Sequence, residues 1–83
     1  KAGKRTGKWT FYFRNQKVEQ TGYFFRGKYD KEWNWYTHSG KLFQRENYYH
    51  GKPDGYFFQL TETGDTLLSG NYSDGDKTGK WRF

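Results

Sequence analysis

Cysteine, methionine and isoleucine are all missing from this chain, and Pro53 is its one proline. Without cysteine there is no disulfide framework, no thiolate metal site and no cysteine nucleophile, and the redox compartment stays open. Aliphatic side chains are almost as scarce: Ala2, Val18, Leu42, Leu60, Leu67 and Leu68 are the whole stock. A helical bundle or a two-sheet sandwich fills its interior with Leu, Ile and Val, so a conventional buried core is not expected. No apolar run approaches the roughly 20 residues of a membrane-spanning helix. At 83 residues the chain amounts to one domain or a piece of one.

Aromatic residues take the place of the missing aliphatics: eight Phe, eight Tyr and four Trp. Low mean hydropathy with eleven glycines would otherwise suggest disorder. Disordered chains are poor in aromatics, however, so a folded chain is expected.

Charge is unevenly placed within a net +6. Residues 1–28 carry Lys1, Lys4, Arg5, Lys8, Arg14, Lys17, Arg26 and Lys28 against Glu19 alone, whereas residues 29–83 are close to neutral. A nucleic-acid groove built by repetition would carry charge in every repeat. The basic cluster of Lys4, Arg5, Lys8, Arg14, Lys17, Arg26 and Lys28 therefore reads as a solvated surface or a match to an acidic protein, and nucleic acid is unlikely.

The chain repeats every 24 residues. Gly7-Lys8-Trp9-Thr10-Phe11-Tyr12 returns at Lys31-Glu32-Trp33-Asn34-Trp35-Tyr36, then at Gly55-Tyr56-Phe57-Phe58-Gln59-Leu60, and opens again at Gly79-Lys80-Trp81-Arg82-Phe83. Glycine columns mark turns at Gly3, Gly27, Gly51 and Gly75 and at Gly7, Gly55 and Gly79, with Lys31 breaking the second column. Three-residue breaks at Arg14–Gln16, His38–Gly40 and Glu62–Gly64 read as hairpin loops whose third position is left-handed, which suits Gly40 and Gly64 better than Gln16. The intervening aromatic and β-branched runs predict strands at 8–13, 17–26, 32–37, 41–50, 56–61, 65–74 and 80–83. The fold class is all-β: tandem 24-residue β-hairpins in an elongated, twisted, single-layer antiparallel sheet. The domain spans 1–83 as about three and a half repeats (3–26, 27–50, 51–74 and 75–83). With no initiating Met or signal peptide, and ends that fall within a repeat, it reads as a segment of a longer chain.

Loop lengths predict a register in which Phe11 faces Glu19, Trp9 faces Thr21, Phe25 faces Trp33 and Tyr23 faces Trp35. All of these numbers are odd, and a 24-residue period preserves parity. One face then holds Trp9, Phe11, Tyr23, Phe25, Trp33, Trp35, Phe43, Tyr49, Phe57, Leu67, Trp81 and Phe83. The other holds Tyr12, Phe24, Tyr36, Tyr48, Phe58 and Tyr72 together with Gln20, Gln44, Arg26, Glu46 and His50. Gly22 and Gly70 either bend their strands or let a neighbouring ring lie on bare backbone.

The recurring Gly-Lys-Trp-x-Phe-Tyr, the loops ending Ser-Gly-Lys and Thr-Gly-Asp, the Gly70-Asn71-Tyr72 run and the Gly-Lys-x-x-Gly turns resemble MORN repeats. More closely, they are similar to the bacterial MORN-variant family of YwqK-type antitoxin repeats, over essentially the whole chain. The resemblance implies hairpin repeats in a curved sheet that serves as a binding scaffold without catalysis. A bacterial cell envelope, periplasmic or outer-membrane-associated, is the preferred setting, with the cytoplasm as the alternative.

Trp9, Phe11, Phe24, Phe25, Trp33, Trp35, Phe57 and Trp81 recur with the repeat and are expected to be structural packing. Tyr12, Arg26, Tyr36, Gln44, Tyr48, His50 and Tyr72 are the candidate partner-binding residues, since rigid amphipathic rings beside polar groups suit protein interfaces. No catalytic or metal-ligating set and no cofactor is expected: Asp74-Gly75-Asp76 lacks calcium-loop spacing, and His38 and His50 have no paired ligand. The expected function is a non-catalytic scaffold that binds another protein, alone or as a subunit of a larger assembly. The sheet edges are free to pair with the rest of the chain or with a partner. Occlusion of a toxin as an antitoxin or immunity protein, and glycan or cell-wall binding through the aromatic ladder, are the alternatives.

Overall fold

The computed structural model describes residues 4–83, and Gly3, one of the expected turn glycines, lies outside them. Eight strands form a single open antiparallel sheet: β1 (Gly7–Tyr12), β2 (Val18–Phe25), β3 (Lys28–Tyr36), β4 (Leu42–Tyr49), β5 (Lys52–Pro53), β6 (Gly55–Leu60), β7 (Thr66–Ser73) and β8 (Asp76–Arg82). Their order follows the chain, with the short β5 beside β4 and continuing into β6. The molecule measures 44 × 34 × 12 Å, so it is one layer thick. The expected all-β hairpin meander is what the chain adopts.

Two kinds of turn alternate. The loops at Arg14–Gln16, His38–Gly40 and Glu62–Gly64 are three-residue hairpin loops as predicted. Each is closed by the same pair of bonds, for example Phe13 N to Lys17 O at 2.8 Å and Gln16 N to Phe13 O at 2.9 Å. Gln16 takes the left-handed conformation (φ 71°) that glycine takes in the other two loops. The second kind is shorter than the glycine columns suggested. Arg26-Gly27, His50-Gly51 and Asp74-Gly75 are two-residue turns with positive φ at both positions, the type I′ geometry that matches strand twist. The strands after them therefore begin at Lys28, Lys52 and Asp76, earlier than the predicted 32, 56 and 80.

The second glycine column is consequently not a turn. Gly7, Lys31, Gly55 and Gly79 have positive φ at a strand's start or within it. Beside Lys31, β2 advances from Thr21 to Tyr23 while β3 runs from Asp30 to Asn34, so β3 carries two extra residues. The same excess appears beside Gly79, where Ser69 to Asn71 opposes Thr78 to Arg82. These two-residue bulges increase local twist and re-aim the side chains that follow.

A second bulge sits near each three-residue loop. Phe11 pairs Gln20 and Tyr12 pairs Val18, leaving Glu19 unpaired; Phe43 and Leu67 are left out in the same way. The predicted register of the first hairpin is wrong by one residue for this reason, and that across the next turn is wrong by five because the turn is only two residues long. Trp9 faces Gly22 rather than Thr21, Phe11 faces Gln20, Phe25 faces Lys28 and Tyr23 faces Asp30. Because side chains alternate with period two, a one-residue slip moves every partner on the slipped strand to the other face.

Adjacent hairpins are tied across their turns. Gly27 N, Gly51 N and Gly75 N donate to Arg5 O, Tyr29 O and Pro53 O, one bond every 24 residues. Asp30 Oδ1 accepts from His50 N at 2.8 Å and Asp54 Oδ1 from Asp74 N at 3.0 Å.

Candidate interaction surface

One face of the sheet carries an aromatic ladder in two groups of rings. Trp33 is its centre and is 0% exposed. Tyr29 stacks on it with ring centroids 4.0 Å apart, Phe24 meets it edge-on at 5.0 Å, and Phe11 and Trp35 flank it at 6.5 and 6.2 Å. Its Nε1 donates to Tyr23 O at 2.8 Å, so the indole is satisfied as well as buried. The ladder repeats at the far end, where Phe57, Tyr72 and Trp81 lie 5.0–6.1 Å from one another. Rings that pack across strands in this way replace the second layer that the sheet lacks.

Residues from both predicted faces contribute to the ladder. Odd-numbered Trp9, Phe11, Trp33, Trp35, Phe57 and Trp81 share it with even-numbered Phe24, Tyr48 and Tyr72, because the bulges undo the parity. Tyr48 donates its hydroxyl to Glu46 Oε1 at 2.6 Å. Burial pushes the phenol of Tyr48 well above the ordinary tyrosine range, with the hydrogen bond and charge of Glu46 adding to the shift. Gln44 accepts from Gln59 on the same face at 2.8 Å.

The supposed tyrosine face therefore does not exist as a unit. Tyr48, Tyr72 and Gln44 belong to the ladder, Tyr12 and Tyr36 lie on the opposite face, and Arg26 and His50 occupy turns. Phe25, expected to pack with the ladder, is on the opposite face too. It stacks on His50 at 4.9 Å and lies under the Arg26 guanidinium at 5.3 Å.

The second face is built from different chemistry. Lys31 Nζ lies 4.9 Å from the Tyr23 ring centroid, and the Arg45 guanidinium lies 5.4 Å from that of Phe58. Tyr56 packs beside Phe58 at 5.9 Å. Arg45 Nε donates to Asn34 Oδ1 at 2.6 Å and sits 3.5 Å from Glu32 Oε2. Tyr12, Tyr23, Phe25, Tyr49 and Tyr56 are all exposed, Tyr12 and Tyr49 at 62% each. Tyr23, Asn34, Arg45, Tyr49, Tyr56 and Phe58 share this face and were not among the residues the sequence singled out for partner binding. The signal available for them was the column comparison, once the bulges set which columns share a face.

That comparison separates the two faces. On the ladder, the column of Trp9, Trp33, Phe57 and Trp81 is aromatic in every repeat, as is that of Phe24, Tyr48 and Tyr72. On the second face the corresponding columns read Lys8, Glu32, Tyr56, Lys80; Thr10, Asn34, Phe58, Arg82; and Thr21, Arg45, Ser69. Packing favours the same residue type in each repeat, as in these two ladder columns, whereas these three columns of the second face vary from one repeat to the next.

The basic cluster is dispersed. Arg5 lies on the ladder, its guanidinium 5.1 Å from Trp9 and 5.5 Å from Phe24. Lys4 and Lys28 lie along the turn glycines Gly27 and Gly51. Arg14 and Lys17 are at the opposite end of the strands, in or beside the first three-residue loop, and Lys8 is within β1. At that loop end an open groove of about 530 Å³ is lined by Phe13, Trp35, Phe43, His38, Glu19 and Glu62.

The fold defines a hairpin-repeat protein with one self-packed face and one variable face. Comparison with protein-family models, with curated proteins and with solved structures finds no match to this chain.

Proposed function

We propose that this chain is a non-catalytic repeat scaffold, of the MORN-like kind its motifs resemble, that binds another protein across the second face of its sheet. The observation that carries this reading is a contrast between faces: the Trp9, Trp33, Phe57, Trp81 and the Phe24, Tyr48, Tyr72 columns of the ladder stay aromatic, while the Lys8, Glu32, Tyr56, Lys80 and the Thr10, Asn34, Phe58, Arg82 columns behind them change in chemical type. Exposed tyrosines beside asparagines and arginine supply rigid contact area with adaptable hydrogen bonding, as protein-binding surfaces do. Stacking on a glycan by the ladder is less well supported, because its central ring, Trp33, is wholly covered.

The test is capture of a protein partner by the immobilised chain, repeated with Tyr49→Ala and Tyr56→Ala. Both side chains are exposed, so the fold should tolerate their loss. Capture of one defined protein that both substitutions weaken supports the reading. Capture that ignores both substitutions overturns it, as does quenching of tryptophan fluorescence by soluble oligosaccharides with no protein retained.

A further inference from the structure

The groove at the loop ends draws its lining from three successive hairpins. The rings of Phe13 and His38 lie 4.0 Å apart, and Trp35 and Phe43 add two more aromatic surfaces. Glu19 and Glu62 supply two carboxylates, and none of the lining residues is a lysine or an arginine. Its volume of about 530 Å³ falls in the range of small-ligand sites.

The carboxylates are unmatched. Among the described residues neither makes a side-chain hydrogen bond or an ion pair, and the two salt bridges lie elsewhere, joining Arg45 to Glu32 and Lys52 to Asp74. Lys41 reaches only the main-chain carbonyl of Glu62, at 3.4 Å. Glu19 is half-buried, and it is the residue that the bulge of the first hairpin leaves out of the strand pairing. One and two repeats further on, the same position holds Phe43 and Leu67. A carboxylate therefore stands where the repeat otherwise places an apolar side chain, and its partial burial costs stability unless a cation meets it.

Packing of the repeat does not require this set of residues. Moved on by 24 residues, Phe13, Glu19, Trp35, His38 and Phe43 become Thr37, Phe43, Gln59, Glu62 and Leu67, with one ring in place of four. The second face of the sheet shows what a ring and a carboxylate hold when brought together. There the Arg45 guanidinium lies 5.4 Å from the Phe58 ring centroid while its Nε is 3.5 Å from Glu32 Oε2. The groove offers both kinds of partner and has no arginine of its own.

We propose that this groove receives an arginine side chain of a protein partner, stacked on the aromatic rings and paired with Glu19. The inference rests on the protein-binding reading and names a residue that the partner presents at the loop ends. Arginine suits the groove better than lysine: its planar guanidinium stacks on a ring while its edge hydrogen-bonds a carboxylate, and it gives up water more readily. Tryptophan is the ring that attracts a cation most strongly. Glu62 is exposed and adds the smaller, more screened share of the attraction.

The probe is the end-blocked peptide Gly-Ser-Arg-Ser-Gly, titrated into the whole chain while the tryptophan indole N–H resonances are followed by NMR. The Trp35 signal should move saturably at millimolar peptide. Replacing the arginine by citrulline, its uncharged isostere, or making Glu19→Gln should weaken binding about fivefold or more. Glu19→Leu puts the residue of the Leu67 position into the first repeat, and should abolish the shift while raising the urea midpoint. The proposal is overturned by the absence of a saturable shift, by binding that accepts citrulline equally or ignores Glu19→Gln, or by a midpoint that Glu19→Leu lowers. Tetramethylammonium binding more tightly than the peptide also overturns it, by assigning the groove to a small quaternary cation. A captured partner lost on Tyr49→Ala and Tyr56→Ala but retained with Glu19→Gln leaves the protein-binding reading standing and removes the groove from it.

Discussion

The indole of Trp33 lies directly on the backbone of Gly22, where an added methyl group would fall inside the ring. This contact allows a single-layer sheet to hold a fully buried side chain. The glycine removes the obstruction, the ring covers the bared backbone from water, and the N–H takes the neighbouring carbonyl at 2.8 Å. Gly70 and Trp81 repeat the arrangement at the end of the sheet.

Gly22→Ala should therefore destabilise the protein by about 2–3 kcal/mol, the usual cost of overpacking a site that cannot relax. Trp33→Phe should also destabilise, through lost burial and a lost hydrogen bond. Combined, the two should cost clearly less than their sum, because the smaller ring makes room for the new methyl. Urea unfolding of the four proteins measures this, and an additive double variant would show that the two residues do not depend on each other.

Between the second and third repeats both members of the pair are replaced. Glu46 stands where glycine stands in the other two repeats, and Phe57 where tryptophan stands. Glu46 is held by the Tyr48 hydroxyl, and Phe57 is buried. Glu46→Gly alone should cost about 1 kcal/mol by removing that hydrogen-bond partner, and Phe57→Trp alone should crowd Glu46. Made together they should restore the outer-repeat arrangement, with a favourable coupling of about 1 kcal/mol or more and a new slowly exchanging indole N–H. A double variant no better than the sum of its parts would count against the pairing.

The strands, the hairpin loops and the packing role of the Trp9, Trp33, Phe57 and Trp81 column were legible in the sequence because each depends on local chemistry repeated every 24 residues. The distribution of residues between faces was not. Parity arguments assume an unbroken alternation, and this sheet interrupts it twice per repeat. One interruption leaves Glu19, Phe43 or Leu67 unpaired, and the other adds two residues beside Lys31 or Gly79. Glycine at positive φ serves turns and bulges equally well, so the Gly7, Gly55 and Gly79 column looked like a turn. The candidate surface moved accordingly, from Tyr48 and Tyr72 to Tyr23, Tyr49 and Tyr56.

Gln16 holds a left-handed backbone (φ 71°) at the loop position that Gly40 and Gly64 occupy in the later repeats. A side chain there strains the backbone, and the exposed side chain of Gln16 makes no hydrogen bond to another of the described residues. Gln16→Gly should stabilise the protein by about 0.5–1 kcal/mol, the relief of strain less the entropy glycine brings to the unfolded chain. The change should appear as a higher urea midpoint with an unchanged slope. A lower midpoint would mean that the Gln16 side chain makes a contribution that its backbone conformation does not reveal.

Tyr48 gives the fold an alkaline limit. Its phenol is pushed upward chiefly by burial, then by its hydrogen bond to Glu46 and the nearby carboxylate charge. The folded state thus favours the neutral phenol more strongly than the unfolded chain, whose tyrosine ionises near its ordinary value of about 10. Below that pH the residue's contribution is fully present. Above it the unfolded state releases a proton that the folded state retains, so stability falls as pH rises toward the elevated folded value. Tyr48→Phe lacks this proton linkage while keeping the ring. The stability advantage of the unaltered protein over Tyr48→Phe, compared by urea unfolding, should be constant from pH 7 to 9 and shrink steadily by pH 11. Parallel curves across that range would show that Tyr48 ionises as easily in the sheet as in the unfolded chain.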